Sequence, residues 1–587
     1  MNNAGWKPKE KSLSKEAEPL NRRSGGGGPR LRLLTALLSL SLVLGSFLSP
    51  AYSQKRARKE PAGAKVRLVV GIVIDQFRYD YLTRFEDLFG EGGFRRLLRD
   101  GAVFTNANYI YSPTVTAPGH ATFMTGSIPA LDGIVGNEWF DRAKGKEVTS
   151  VADESVRLLG GQAALPGSPS KLIGSTVGDQ LRLTNNGRTK IVGLALKDRS
   201  AILPAGHRPN GAYWFDSGVG AFVSSTYYFA DLPEWVKRFN QSVRPEKYFG
   251  AKWDRLLPAS AYDRSLPDDS PYEKSKFGNK FPHIINGGES KPGKLFLDQW
   301  DESPFANDYT AAFAKAAIDG ERLGADDDTD LLTISFSAND GLGHSFGPYS
   351  QEVEDMTLRT DRTLADLFDY IDKKVGLTNT VIVLTADHGV ALVPEHARDL
   401  RLGGGRIDSK NIKSVIEAAL NRRFGTEPWV LSAVNGNVYF DYKAIERRHG
   451  DQAEAERIGC NAALTVEGIG ECFTRGQFLS GQLTPGLLSS HAANGFYPER
   501  SGDLVIITKP FYIQRTEAGT SHATPYSYDT HVPVIFYGAG VAPGRYFSAC
   551  SPADIAATLS AMLKIEPPSN NVGRILTEAI KTSIRRN

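Results

Sequence analysis

Residues 331–344, LLTISFSANDGLGH, run unbroken from a β-branched apolar stretch into a loop that carries Asp340 and His344. Two other segments end in the same way: VVGIVID over 69–75 delivers Asp75, and VIVLTADHG over 381–389 delivers Asp387 and His388. In an open α/β sheet, ligands collect just beyond the carboxyl ends of strands, so acidic and imidazole groups placed there converge although far apart in sequence. The pattern predicts the site of a two-metal hydrolase.

Working outward, VRLVVGIVI (66–74), KIVGLAL (190–196), DLLTISF (330–336) and TVIVLTA (380–386) have the composition of buried parallel strands, and 352–373 shows helical periodicity with charged outer positions. The alternation predicts an α/β fold with a doubly wound, mostly parallel central sheet flanked by helices. DLVIIT (503–508), PVIFYG (533–538) and a helix over 552–563 resume the same alphabet, so the core is expected to draw on both ends of the chain. The stretches at about 200–330 and 400–500 are irregular, rich in aromatics, Pro and Gly in the first case, and read as insertions that cap the site.

With 587 residues and 41% hydrophobic content, the chain can bury a large core and is neither disordered nor fibrous. Its start differs. Basic residues up to Arg32 precede the apolar run 33–47, and small residues follow through Ala51-Tyr52-Ser53, the pattern of a signal peptide cut after Ser53. The run is shorter than the roughly 20 residues that span a bilayer, and no Cys follows it to carry a lipid. A periplasmic or secreted protein with no stable membrane anchor is expected, with a flexible lead-in over 54–65 and a catalytic domain over 66–587.

Residues 1–53 carry a surplus of five positive charges, so the formal +3 of the whole chain becomes about −2 after cleavage. A near-neutral surface offers little of the phosphate neutralisation on which nucleic-acid affinity rests, and no nucleic-acid binding is expected. Cys460, Cys472 and Cys550 are too few for a disulfide scaffold and are not spaced as a Cys-rich metal site; Cys460 and Cys472 could close one local bridge.

In Asp340-Gly-Leu-Gly-His344 a carboxylate and an imidazole lie four residues apart with glycines between, and in Asp387-His388-Gly389 two ligands are adjacent at a strand end. Any one of these could be a helix cap or ion pair; three in the same topological place point to a cation site. A nucleophile is supplied by SPTVTAPGHATFMTG (112–126), where Thr116 stands just before a helix with Pro118 in its first turn. A helix start presents free N–H groups to an anion, and a threonine hydroxyl becomes a competent nucleophile when a metal lowers its pKa. His120, one turn on, is a candidate support for that helix.

These residues resemble the alkaline phosphatase superfamily, and within it the exported, phosphate-irrepressible alkaline phosphatases with a threonine nucleophile and two zinc ions. The resemblance covers nearly all of the chain beyond the leader. It implies one zinc at Asp340, His344 and His522, and another at Asp75, Asp387 and His388 with Thr116 as an oxygen ligand. His531, nine residues after His522 and directly before PVIFYG, is the alternative to His522. Asn137 in GNEWFD (136–141) and Lys197 and Arg199 in LKDRS (196–200) resemble the monoesterase subgroup's contacts to the phosphoryl oxygens. The implied activity is hydrolysis of small phosphate monoesters through a phosphothreonine intermediate. The alternative is a nucleotide pyrophosphatase or phosphodiesterase of the same superfamily, which shares Thr116 and the metal ligands but has no need of Lys197 and Arg199. A sulfatase is disfavoured because the Cys- or Ser-x-Pro-x-Arg motif is absent. From another class, a non-catalytic metal-binding protein that retained the fold is disfavoured by the intact nucleophile. Oligomeric state and the physiological ester are not legible.

Overall fold

The computed structural model describes residues 65–273, 275 and 278–581. The leader and almost all of the lead-in lie outside the described residues. No helix among the described residues is long and apolar enough to cross a membrane.

Ten strands form the main sheet: β1 (Leu68–Ile74), β2 (Ala102–Phe104), β3 (Leu158–Leu159), β4 (Ile191–Ala195), β5 (Gly211–Asp216), β6 (Ala221–Ser225), β7 (Asp330–Phe336), β8 (Thr380–Thr385), β9 (Val534–Gly538) and β10 (Gly544–Tyr546). Their order is β10-β2-β9-β8-β1-β7-β4-β5-β6-β3. The centre, β8-β1-β7-β4-β5, is parallel throughout. The flanks are not: β9 runs antiparallel to both β8 and β2, and β6 antiparallel to both β5 and β3. The expected mostly parallel sheet is present, its parallel middle flanked by antiparallel pairs. PVIFYG reads like its parallel neighbours because Val534, Ile535 and Phe536 are buried as theirs are, and composition reports burial rather than direction.

Every residue of β1, β7 and β8 is buried. Leu68, Val70, Ile72 and Ile74 enter one core and Val69 and Val73 the other, as a period of two requires when both faces are covered. On the first face lie helices Pro304–Glu321 and Gln351–Lys374, through residues such as Phe313, Ile318, Leu364 and Phe368. On the second lie Thr116–Thr125 and Asp554–Leu563, through Phe123, Met124, Ile555 and Leu559. Gly71 permits the close approach there, since a Cβ would meet Met124 Cε at 2.5 Å.

Of the stretch 200–330, β5 and β6 widen the main sheet and Pro304–Glu321 covers one of its faces. Short strands amid aromatics, β5 parallel to β4 and β6 antiparallel to β5, carry too little periodicity to announce themselves. The stretch 400–500 has its own core around Ile416, Leu420, Trp429, Phe440 and Ile506. It builds a four-stranded sheet from Val430–Val434, Asn437–Phe440, Leu504–Thr508 and Ile469–Thr474. DLVIIT thus belongs to this smaller sheet, not to the main core; an apolar run of five cannot say which sheet it joins. Cys460 and Cys472 form a disulfide inside this unit, and Cys550 is free.

Candidate active site

Register explains the convergence. Val73 pairs with Thr385 and with Ser335, and Ser335 pairs with Ala195. Two residues further on, at one edge of the sheet, stand Asp75, Asp387 and Lys197, with Asp340 in the first turn of helix Ala338–Phe346.

Two groups of side chains result. Asp75, Asp387 and His388 bring one donor atom each to within 4.8 Å of one another, and Asp340, His344 and His522 do the same. His388 and His522 stack with ring centroids 3.6 Å apart, so the groups adjoin. His531 is elsewhere, stacked on Tyr79 with Nε2 against the Thr105 carbonyl.

All three imidazoles are oriented alike. Nδ1 of His344, His388 and His522 lies 2.8–3.0 Å from the carbonyls of Thr520, Gly389 and Thr114, respectively. A carbonyl only accepts, so each Nδ1 carries the proton and each Nε2 lone pair faces the carboxylates, the arrangement that prepares histidine to bind a metal. Nε2 of His344 and of His522 is 3.3 and 3.7 Å from Asp340 Oδ1; Nε2 of His388 is 3.5 Å from Asp75 Oδ1 and Asp387 Oδ2. Asp75 Oδ1, Asp387 Oδ2 and His388 Nε2 are buried without a hydrogen-bond partner. Orphaned donor atoms of this kind are costly in a protein interior unless a cation takes them up, and mixed carboxylate and imidazole donors suit a divalent ion. The residues fit two divalent metal sites.

Electrostatics agrees. Burial pushes the Asp75 carboxyl well above the usual carboxylate range, and the Asp387 charge adds to it. Burial acts the same way on Asp340, but the Lys197 ammonium and His344 outweigh it and hold Asp340 well below that range. Burial, then the adjacent His388 and His344, press His522 far below the ordinary imidazole value, and burial lowers His388 too, so both stay neutral with a lone pair to give.

Lys197 Nζ donates to Asp75 Oδ2 at 2.7 Å and to Asp340 Oδ2 at 2.5 Å, tying one carboxylate of each group together. Burial disfavours this ammonium, yet Asp340 and Asp75 raise its pKa above the ordinary lysine value. Arg199 follows in the first turn of helix Asp198–Ala205, its Nε buried and without a partner.

Thr116 opens its helix and is 1% exposed. The backbone on either side is held: the Thr116 carbonyl accepts from His120 Nδ1 at 2.9 Å, and the Ala117 N–H donates to Asn137 Oδ1 at 2.8 Å. Asn137 thereby spends its oxygen on the helix and keeps its NH₂ group as a donor. His120 Nδ1 also lies 3.3 Å from Asp387 Oδ2 and its Nε2 meets Ser335 Oγ at 2.9 Å, so it links the Thr116 helix to the metal-ligand groups. Gly119 is required for this closeness, since a Cβ there would lie 2.3 Å from the Asp387 carbonyl oxygen.

Gln76 was not singled out by sequence. It adopts φ 59°, donates from Nε2 to Asp340 Oδ1 at 2.6 Å and from its N–H to Asp387 Oδ1 at 3.1 Å, and so braces a carboxylate of each group. Its place directly after Asp75 was the only signal. Of the other histidines, His283 pairs with Glu352 at 2.9 Å and His396 stacks on Tyr272.

A cleft of about 370 Å³ opens beside the site, with His344, His522 and Asn137 in its wall. A larger cavity of about 1000 Å³ lies against Asp179, Arg182, His207 and Arg208, away from both ligand groups. The chemistry follows the ligands, so the smaller cleft is the relevant one.

The family model of type I phosphodiesterase / nucleotide pyrophosphatase matches residues 69–531. Alkaline phosphatase PhoV of Synechococcus elongatus is 39% identical over 556 residues, covering 93% of this chain and 99% of that protein. Alkaline phosphatase PafA of Elizabethkingia meningoseptica is 39% identical over 532 residues, covering 89% and 96%. The crystal structure of wild-type alkaline phosphatase PafA superposes with a TM-score of 0.83 at 38% identity, over 89% of this chain and 100% of that one.

Proposed function

For a chain that belongs to the alkaline phosphatase superfamily and to its type I phosphodiesterase / nucleotide pyrophosphatase family, a metal-assisted hydrolase of phosphate esters, we propose an exported phosphomonoesterase that works through a phosphothreonine. The observation that carries the reading is the placement of Lys197 and Arg199. One ammonium bridges both ligand groups, and one guanidinium with an unpartnered Nε stands two residues away; with cations on those carboxylates, both would be free to face a doubly charged phosphoryl group. A diester has only one such charge and gains less from them.

Two zinc ions, one held by Asp75, Asp387 and His388 with Thr116, the other by Asp340, His344 and His522, would lower the pKa of the threonine hydroxyl and neutralise charge on the phosphoryl oxygens. The Oγ of Thr116 attacks phosphorus. A bond from that oxygen to phosphorus forms, the ester bond breaks, and the alcohol departs with a proton. Water then attacks the phosphothreonine, inorganic phosphate is released and the hydroxyl regains its proton. Through both steps Asn137 Nδ2, Lys197 and Arg199 donate to non-bridging oxygens, where preorganised charge supplies most of the acceleration in a loose transition state. His120 and Asn137 fix the peptide units flanking Thr116, so the nucleophile is aimed before substrate arrives. Export rests on the leader pattern of residues 1–53.

The test is kcat/KM of the zinc-loaded protein on p-nitrophenyl phosphate and on bis-p-nitrophenyl phosphate, with a chelated control. A monoester preference lost on chelation and diminished in Lys197→Ala and Arg199→Ala is expected. A diester preference would transfer the reading to the phosphodiesterase branch.

A further inference from the structure

The cavity of about 1000 Å³ that stands apart from both ligand groups is built where two segments lock together. Helix Val177–Thr184 supplies Asp179 and Arg182, and the strap 206–209 that leaves helix Asp198–Ala205 supplies His207 and Arg208. Gly206, at φ 82°, lets the strap lie against the helix start, since a Cβ there would meet Thr176 Oγ1 at 2.3 Å. Asp179 then accepts the N–H groups of Thr176, His207 and Arg208 at 2.9, 3.0 and 3.2 Å. Asp179 is the one carboxylate among the described lining residues, and its oxygens are taken up by the backbone.

Two guanidiniums share this wall without a carboxylate of their own. Arg182 is held in place by the carbonyls of Arg208 and Gly187, to which Nη1 and Nη2 donate, the second at 3.1 Å. Arg208 is exposed, and among the described residues its guanidinium has neither an ion pair nor a hydrogen bond. Burial and then the Arg208 charge pull Arg182 below the ordinary guanidinium value, against the opposing pull of Asp179, so the two cations crowd each other. An anion placed against such a pair relieves that repulsion, and the planar guanidinium fork suits the oxygens of a sulfonate, carboxylate or phosphate. The opposite lining is apolar. Tyr227 donates from its hydroxyl to the His207 carbonyl at 2.8 Å, and its ring, 40% exposed, meets Tyr228 edge-on with centroids 4.9 Å apart. Leu183 is 72% exposed on the same cavity. A largely apolar lining with a few convergent charges is the make-up of a small-molecule site, and the volume lies at the upper end for one.

We propose that this cavity is a second, non-catalytic binding site and that its ligand is an anionic group carried on an aromatic ring. Arg208, the unpartnered cation, takes the anionic group with Arg182 behind it, and Tyr227 and Leu183 cover the ring. None of the metal ligands, nor Thr116, Asn137, Lys197 or Arg199, lines the cavity, so a ring anion and a phosphate ester can be bound at the same time.

The experiment is isothermal titration of the zinc-loaded full chain with 2-naphthalenesulfonate, which has a ring and an anionic group but no phosphoester bond to cleave, and with methanesulfonate, which lacks the ring. Naphthalenesulfonate is expected to bind at one equivalent per chain and at least ~10-fold more tightly than methanesulfonate, through the apolar area it buries. Arg208→Gln, which disturbs no hydrogen bond made by that side chain within the fold, should weaken binding about tenfold, and Tyr227→Leu about threefold to tenfold. Naphthalenesulfonate is expected not to compete with p-nitrophenyl phosphate for turnover. Competitive inhibition with a constant equal to the calorimetric Kd would put the ligand at the phosphoryl site and overturn the second site. Absence of binding, or the parent's affinity in both variants, would overturn it equally.

Discussion

The Asp75/Asp387/His388 group, with two carboxylates and one imidazole, and the Asp340/His344/His522 group, with one carboxylate and two imidazoles, use the same two donor types in opposite settings. The first is built from the ends of two adjacent parallel strands, β1 and β8, in register, and is sealed by the Thr116 helix. The second takes Asp340 and His344 from one turn of a short helix and His522 from a loop almost two hundred residues away, and it faces the cleft. Under the proposed mechanism the sealed side would hold the nucleophile and the open side would admit ester and release alcohol, which would give the reaction a direction.

The most severe way to probe the contrast is Thr116→Ala, which removes the nucleophile from the sealed side. Turnover is expected to fall at least ~10³-fold. Cation content by elemental analysis should stay near two per chain, whereas Asp340→Ala should lose activity and a cation together. Wild-type-like turnover in Thr116→Ala would break the assignment of the sealed side to the nucleophile.

Access itself is tested by chelation. EDTA should remove one equivalent of metal quickly, from the Asp340 group, and the second slowly, because the buried group must open locally before it exchanges. Asp340→Asn should abolish the fast phase and leave the slow one; a single phase for both equivalents in the parent would erase the distinction.

A smaller effect is expected at Gln76, which braces one carboxylate of each group. Gln76→Ala should weaken cation affinity about 10–100-fold, as loss of an outer hydrogen bond to a ligand typically does, measured by competition with a fluorescent chelator. An effect confined to one equivalent would show that the brace serves only that group.

The mildest change touches the wall of the open side. Removing the Cys460–Cys472 bridge, whose partners are 12 residues apart, should lower the local stability of the smaller sheet by about 2–3 kcal/mol. Hydrogen exchange over 452–474 should accelerate while β1, β7 and β8 remain protected.

Strand-end acids are legible because a parallel sheet imposes one rule on every strand: side chains just past the carboxyl end share one edge. Thus Asp75, Asp340 and Asp387 could be placed from apolar runs alone. Gln76 could not, since its role depends on a left-handed turn that nothing in V-I-D-Q demands. That the Lys197 ammonium also binds Asp75 and Asp340 was not legible, because buried carboxylates draw the nearest cation and only their assembled positions reveal which one it is. DLVIIT could not be assigned to its sheet, nor β9 to its direction.

By itself, the sequence determined the α/β class and the two sets of donors, because periodicity and strand-end position are local properties of the chain. Only the tertiary structure decided which set is sealed and which is open, that His522 rather than His531 meets Asp340, and that the smaller sheet walls the cleft. Those depend on which distant segments pack together, and packing between segments hundreds of residues apart leaves no periodic mark on either one.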